Sequence, residues 1–499
     1  AFMLHFDGKN VSAFDGRETA PASVDEHLFQ DADGRALPFF TAAVGGRAVG
    51  APGVLRMLAM AYARRGKLPW KALFAPAIAL SETGFPISPR LARLIAGDRY
   101  LRHDPEAAAY FFDSSGRPWK AGHLLRNPAL AVVLRKIAAQ GVDAFYTGPL
   151  AAAIVSKVAG DAANPGSLTL SDLNGYQARV REPLCTDYRR WRVCGMPPPS
   201  SGGIAIGQLL GILANTEIAN MAPTVNDKIL PTVDGMHLVT EAERLAYADR
   251  ARYVADTDFV ALPGGNADAL LDKNYLLARS HLIGTRSLGV APSGIPPATK
   301  LAYGIDKSPE YHGTTHFSIV DRYGNALAMT SSIENSFGSR LMVGGFLLNN
   351  QLTDFSFESS DPQGPIANRI QPGKRPRSAM SPTLVFDRAT GEPVLIIGSP
   401  GGAAIITYVA KVLIGVLDWH LHLQQAIDLP NFGSRNGPTE LERDRFPANI
   451  VENLQERGHV VRLTDQTSGL HGIMRIGRGR EGAWVGAADP RREGSAAGQ

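Results

Sequence analysis

The pentapeptide His312-Gly313-Thr314-Thr315-His316 gathers two imidazoles and two hydroxyls within five residues. Two histidines four apart could share a metal on one helix face. The glutamate of a zinc-hydrolase helix is absent, however, and the residues that follow alternate as a strand, so no metal site is read here. Gly398-Ser399-Pro400-Gly401-Gly402 is the other segment that could cradle a charged group. It lacks the lysine of a P-loop and the spacing of a dinucleotide fingerprint. No nucleotide, metal or flavin cofactor is implied. The two cysteines, Cys185 and Cys194, flank Tyr188-Arg189-Arg190-Trp191. A hairpin there would set them opposite each other, either as a disulfide in an oxidising compartment or as two buried thiols. Their spacing is not that of a zinc site.

The elements around these residues change character along the chain. Up to about residue 304 the text is mainly helical with short strands. Leu55 to Arg65 is apolar at helical spacing and stops at Gly66; Asn127 to Gln140 stops at Gly141. Ser171-Asp172 reads as a cap before Leu173. Met236 to Tyr253 reads as a long amphipathic helix, and residues 222–234 as a loop. Beyond residue 304, Thr315 to Val320 and Ala326 to Ser332 form two strands around the turn Asp321-Arg322-Tyr323-Gly324-Asn325. Leu341 to Leu348 reads as one more strand. Thr383 to Phe386 and Val394 to Gly398 pair around residues 387–392. Ala404 to Leu417 is an apolar helix. Val460 to Leu463, Gly472 to Ile476 and Ala483 to Gly486 read as strands at sheet edges.

The bulk composition is that of a large globular core: 499 residues, 44% hydrophobic and 20% charged. Length alone suggests two or three domains. A net charge of +4, without basic runs, excludes a nucleic-acid binder of the electrostatic kind. No apolar stretch reaches the roughly 18 residues of a membrane helix. The first residues, Ala1-Phe2-Met3-Leu4-His5, already read as a strand and show no targeting signal. The expected compartment is periplasmic or secreted, with the cytoplasm as the alternative.

Several segments taken together resemble the γ-glutamyltransferase family of N-terminal-nucleophile (Ntn) hydrolases. They are Thr314-Thr315-His316-Phe317-Ser318-Ile319-Val320-Asp321, Gly324-Asn325-Ala326, Phe337-Gly338, Leu347-Leu348-Asn349-Asn350-Gln351 with Asp354-Phe355, and Lys374-Arg375-Pro376. Ser378, Met380-Ser381-Pro382-Thr383, Gly398 to Gly402 and Ala488-Asp489-Pro490-Arg491 follow in family order. Arg17-Glu18, Ala20-Pro21, Pro197 to Gly203 and Glu241 to Arg250 match upstream. The resemblance implies an α+β fold, a four-layer αββα sandwich. It also implies self-cleavage at Gly313–Thr314, giving a large-subunit region 1–313 and a small-subunit region 314–499 that remain one composite domain, a heterodimer of two fragments. The family places a glycine-rich stretch and a helical layer before the segment matching Ala1 to Leu4, so region 1–313 is read without that layer.

The same resemblance assigns roles. Thr314 is the nucleophile. Its freed α-amine, with an ordinary pKa near 8, is the base, so nucleophile and base are one residue. Ser332 stands where a second threonine supports the nucleophile. Gly401 and Gly402 match the oxyanion-hole glycines. Arg17 and Ser378 match groups holding a substrate α-carboxylate. Gln351 and Asp354 match groups holding its α-amine. The implied reaction passes a γ-glutamyl group from glutathione or another γ-glutamyl amide, through an acyl-threonine, to water or an amino-acid or peptide acceptor.

Three features depart from the pattern. Ala379 replaces a second serine, Glu334 replaces a common asparagine, and the link from Asp354 to Ser378 is too short for a full lid. Glu334 either lines the pocket beside Asp354 or turns away to pair with a base such as Arg340. Ala379 and Glu334 keep open a related Ntn amidase resembling the cephalosporin (glutaryl) acylases, and the missing N-terminal layer keeps open an unprocessed, non-catalytic precursor.

Overall fold

The computed structural model describes residues 1–223, 229–300, 302–308, 313–477 and 482–498. Two antiparallel sheets form its centre. Their strands in chain order are β1 (Phe2–Phe6), β2 (Val11–Asp15), β3 (Arg179–Arg181), β4 (Leu184–Tyr188), β5 (Trp191–Gly195), β6 (Thr315–Val320), β7 (Ala326–Ser331), β8 (Thr383–Asp387), β9 (Pro393–Gly398), β10 (His471–Ile476) and β11 (Ala483–Ala488). One sheet has the order β3-β2-β1-β7-β6 and the other β11-β10-β9-β8-β5-β4. β10 is therefore an interior strand, not the edge its sequence suggested.

Strand alternation sends one face of the first sheet to each neighbouring layer. Phe2, Leu4 and Phe6 enter the core shared with the second sheet. Ala1, Met3 and Phe14 enter a separate core against the helices α1 (Val54–Arg65), α2 (Pro128–Gln140) and α3 (Gly148–Ala159). The second sheet is covered by α4 (Gly202–Leu213), α5 (Val233–Tyr253) and α6 (Ile405–Leu417). The result is a helix–sheet–sheet–helix sandwich. Where the sheets meet, Gly398 of β9 lies flat on the ring of His316 of β6; a Cβ there would sit 2.3 Å from the imidazole.

Local details revise four expectations. Helix α5 is buried on nearly every face, because its charges are paired: Arg244 with Glu241 at 2.9 Å, and Asp249 with the Tyr275 hydroxyl at 2.6 Å. It starts at a Thr232 cap, two residues inside the stretch read as a loop; residues 224–228 of that stretch lie outside those described. The helix at Leu170 is capped by Thr169, which forms a capping box with Asp172, so the cap is two residues earlier than Ser171. Leu341 to Leu348 is a tight hairpin, Met342–Val343 against Phe346–Leu347, turned by Gly344 and Gly345 at φ +57° and +85°. Cys185 and Cys194 face each other across β4 and β5 and are joined as a disulfide.

Candidate active site

The β6–β7 hairpin positions the nucleophile candidate. Its register pairs Thr315 with Ser331, so Thr314 and Ser332 meet just beyond the hairpin's open end. Thr314 Oγ1 lies 3.0 Å from Ser332 Oγ, which also accepts from the Glu334 amide at 2.9 Å. Thr314 has φ +87° and Glu334 φ +72°. Positive φ in a β-branched residue is a strained conformation costing about 1–3 kcal/mol. Gly313, on the other side of the candidate scissile bond, packs so tightly that a Cβ would come within 1.4 Å of the Glu334 carbonyl oxygen. Only glycine fits before Thr314.

His316, the second histidine of the motif, points inward between the sheets. It bonds to Thr330 Oγ1 at 2.8 Å and Ser318 Oγ at 3.1 Å, and burial pushes its pKa down to about 3. It is a neutral structural group. His312 lies outside the described residues.

Thr314, Ser332, Glu334, Gln351, Asp354, Ser378, Gly402 and Arg17 line one small cavity of about 20 Å³, completed by Ala379, Met380 and Ile405. That volume holds little more than one water. Gly401, next to this lining, has φ +146°, and a Cβ on it would strike the Tyr408 ring at 2.6 Å. Gly402, at φ +59°, opens the turn that leads into α6, so the amino end of a long buried helix is presented to the cavity. On the other side Thr314 borders a wider cleft of about 430 Å³, lined in part by Arg90, Pro400, His471 and Arg492.

Charges are concentrated at the far end of the small cavity. Arg17 is fully buried and donates to Asp354 Oδ2 at 2.5 Å, to the Arg377 carbonyl at 3.0 Å and to the Pro376 carbonyl at 3.1 Å. Gln351 Nε2 donates to the same Asp354 oxygen at 2.9 Å. Ser378 is held from behind by the Pro197–Gly203 segment: the Ser201 amide donates to its carbonyl at 2.7 Å. Glu334 does not pair with Arg340, which is committed to Asp98 at 2.8 Å. It accepts instead from Asn350 Nδ2. Burial first, then repulsion from Asp354, pushes its pKa up to about 8.

Arg492 is a further candidate that no motif in the sequence marks. It follows the matched Ala488 to Arg491 motif directly, and its Nη1 lies 3.4 Å from the carbonyl oxygens of both Gly313 and Thr314. Only the fold reveals that the chain's last segment reaches the candidate scissile bond.

The gamma-glutamyltranspeptidase family model matches residues 1–499, the full length of the chain. The chain belongs to this family. Among curated members and relatives of the gamma-glutamyltranspeptidases, it is 34% identical over 509 aligned positions to the glutathione hydrolase proenzyme of Bacillus subtilis (strain 168), covering 100% of this chain and 83% of that one. It is 33% identical to the acylase ACY 1 proenzyme of Pseudomonas sp. (strain SE83), covering 91% and 75%. Among solved structures, the cephalosporin acylase from Bacillus halodurans superposes with a TM-score of 0.82 at 26% identity, covering 99% and 86%. The sandwich described above is thus that of the gamma-glutamyltranspeptidases and cephalosporin acylases, the Ntn-hydrolase fold. Among the described residues no helix is long and apolar enough to cross a membrane.

Proposed function

We propose that the chain is a self-processing γ-glutamyl hydrolase and transferase whose nucleophile is Thr314. The observation that carries this reading is the Thr314–Ser332 hydroxyl pair, 3.0 Å apart, at the rim of a cavity whose far end holds Arg17, Gln351 and Asp354. In maturation, Thr314 Oγ1 attacks the Gly313 carbonyl carbon and the peptide C–N bond breaks, leaving an ester and a free Thr314 amine. Water then hydrolyses the ester, releasing the Gly313 carboxylate and restoring the hydroxyl. Strain at Thr314 raises the energy of the uncut bond, and Arg492 stabilises charge on the Gly313 oxygen.

In turnover the Thr314 amine takes the hydroxyl proton as Oγ1 attacks the γ-carbonyl of the donor, then returns it to the departing amine. Backbone N–H groups at Gly401 and Gly402 serve the oxyanion. Water or an acceptor amine resolves the acyl-threonine. The cavity, about 20 Å³ without substrate, widens as the Arg17–Asp354 contact parts: Arg17 with Ser378 then receives the α-carboxylate, and Asp354 and Gln351 the α-amine. The wider cleft beside Arg90 and Arg492 takes the leaving group and acceptor. The two fragments stay assembled as a heterodimer, and no cofactor takes part.

A purified preparation should run as two bands on a denaturing gel, the smaller beginning Thr-Thr-His-Phe, and should hydrolyse glutathione. Thr314→Ala should remain one inactive band. A fully active uncut chain would refute the proposal. A glutaryl-acylase reading is favoured by one feature, Ala379, which removes a hydroxyl from the carboxylate end. We also place the protein in an oxidising compartment, periplasmic or secreted, a reading supported by the Cys185–Cys194 bond. Reactive thiols in protein taken directly from cells would move it to the cytoplasm.

A further inference from the structure

The acyl-end cavity carries an uneven set of charges. Asp354 is neutralised before any substrate arrives, since Arg17 at 2.5 Å and Gln351 at 2.9 Å both donate to it. Glu334, 4% exposed, is not so matched. One of its oxygens accepts from Asn350; the other takes no hydrogen bond from a described residue. The charged groups around it come from three elements. Asp354 repels it from the turn Gln351–Asp354. Arg17 attracts it but is engaged by Asp354. Arg340 attracts it but is engaged by Asp98 at 2.8 Å and by Asn335 Oδ1 at 2.7 Å. The carboxylate end is thinner. Ser378 Oγ accepts from the Met380 amide at 3.1 Å, position 379 offers only a methyl group, and Arg17 Nη1 makes no hydrogen bond but lies 3.7 Å from the Glu18 carboxylate.

We propose that Glu334 makes the α-ammonium group, and not the α-carboxylate, the end of the acyl donor on which this chain discriminates most. The inference rests on the acyl-transfer reading above and specifies its substrate class. Charge counting gives the order. Among the residues lining the cavity, Arg17 and Asp354 ionised with a proton on Glu334 sum to zero; Glu18, outside that lining and 3.7 Å from Arg17 Nη1, is the same in all three cases. A 4-aminobutyryl group, which is a γ-glutamyl group without its carboxylate, brings one ammonium. Glu334 then releases its proton to solvent, two cations face two carboxylates, and the Arg17–Asp354 pair stays intact. A γ-glutamyl group brings both charges, so Arg17 turns to the carboxylate, Asp354 to the ammonium, and Glu334 keeps its proton as a neutral hydrogen-bonding group. A glutaryl group brings only an anion. Arg17 cannot serve it and Asp354 together, and one buried negative charge is left over, the arrangement a low-dielectric site tolerates least.

The experiment compares the p-nitroanilides of γ-glutamate, 4-aminobutyrate and glutarate on self-cleaved wild type, Glu334→Gln and Glu334→Asn, at about pH 7 and about pH 9. In wild type, removing the amine should lower kcat/KM at least about tenfold more than removing the carboxylate. Glu334→Gln should lower kcat/KM for the 4-aminobutyryl anilide by about tenfold to a hundredfold, the range for a buried hydrogen bond to a charged group, and mainly through KM. The glutaryl anilide should be unaffected or improved. The wild-type KM for the 4-aminobutyryl anilide should fall between the two pH values as Glu334 ionises, and that of Glu334→Gln should not. A wild type that turns over glutaryl as well as 4-aminobutyryl overturns the inference, whether or not the variants mature; so do equal losses for both truncated substrates. An uncut chain inert to all three anilides overturns the acyl-transfer reading instead.

Discussion

Replacing Ser332 by alanine removes two hydrogen bonds that meet on one oxygen. The first, 3.0 Å from Thr314 Oγ1, orients the proposed nucleophile. A hydrogen bond of this kind is worth about 0.5–1.5 kcal/mol, and more where it fixes an attacking atom within a near-attack geometry; a loss of about 1.5–2.5 kcal/mol corresponds to about 10- to 70-fold in rate. The second, 2.9 Å from the Glu334 amide, satisfies a buried donor in a residue held at φ +72°. Leaving it unpaired costs about 1–3 kcal/mol of stability. For a chain of 499 residues the unfolding entropy is about 1 kcal/mol per degree, so the melting temperature should move by only about 1–3 °C. The expectation is a protein that melts almost normally and reacts at least about tenfold more slowly in both self-cleavage and turnover. Ser332→Thr, which keeps an oxygen in place, should recover most of both. The assay is the decay of the full-length band with time, followed by single-turnover release of p-nitroaniline from the matured enzyme, with calorimetry on the same samples. Wild-type rates in Ser332→Ala would remove the hydroxyl pair from the mechanism. A rate loss matched by a melting shift of many degrees would reduce Ser332 to a structural group.

Gly313→Ala should block maturation, because its Cβ would lie 1.4 Å from the Glu334 carbonyl oxygen; a normally processed alanine variant on a denaturing gel would contradict the packing. Arg492→Ala should slow the appearance of the Thr314 fragment by about tenfold or more, and Arg492→Lys should restore it only in part, since one ammonium cannot reproduce a guanidinium reaching two carbonyls. Unchanged cleavage kinetics in Arg492→Ala would remove it from the reaction. Stability should fall on acidification through His316. Its folded pKa of about 3 lies below the ordinary value of 6.5, so the unfolded chain binds the extra proton between those limits. Stability is complete above about pH 6.5 and declines below it by up to about 1.4 kcal/mol per pH unit. Calorimetry of His316→Gln should show a flatter profile from pH 6 to 4, and a slope equal to wild type would refute the assignment.

The hairpin around Thr314 was legible because strand alternation and the Asp321 to Asn325 turn are local signals, and β6 and β7 follow them within a residue. The burial of α5 was not legible. Its charge-rich surface reads as solvent-facing until partners as distant as Thr439, which accepts from Arg244 at 2.7 Å, are brought to it. Leu341 to Leu348 failed as a single strand because Gly344 and Gly345, both at positive φ, reverse the chain; the Gly-Gly pair between two apolar runs is itself a hairpin signal, which the single-strand reading passes over. In the cavity, matched motifs supplied the residues but not their mutual bonds. The Arg17–Asp354 ion pair spans 337 positions and the Arg492–Gly313 contact 179, and no periodicity encodes such separations. Glu334 shows the limit most clearly: both orientations were open from the sequence, and the commitment of Arg340 to Asp98 decides between them.

The strand order of the two sheets has a consequence for how the protein can be lost and regained. A cut after Gly313 divides each sheet between the products: β1, β2 and β3 pair with β6 and β7 in one, and β4 and β5 with β8, β9, β10 and β11 in the other. Before the cut, those partners meet as parts of one polymer, and forming the sheets is a first-order event. After it, the same partners are separate molecules, and reassembly becomes second-order, diluted by whatever volume holds them. The mature protein therefore depends on the height of its unfolding barrier more than on an equilibrium it can return to, as a kinetically trapped species does. Refolding yield should be independent of concentration for the Thr314→Ala precursor and rise with concentration for the cut enzyme, so that each molecule folds under the precursor's law once and persists under another.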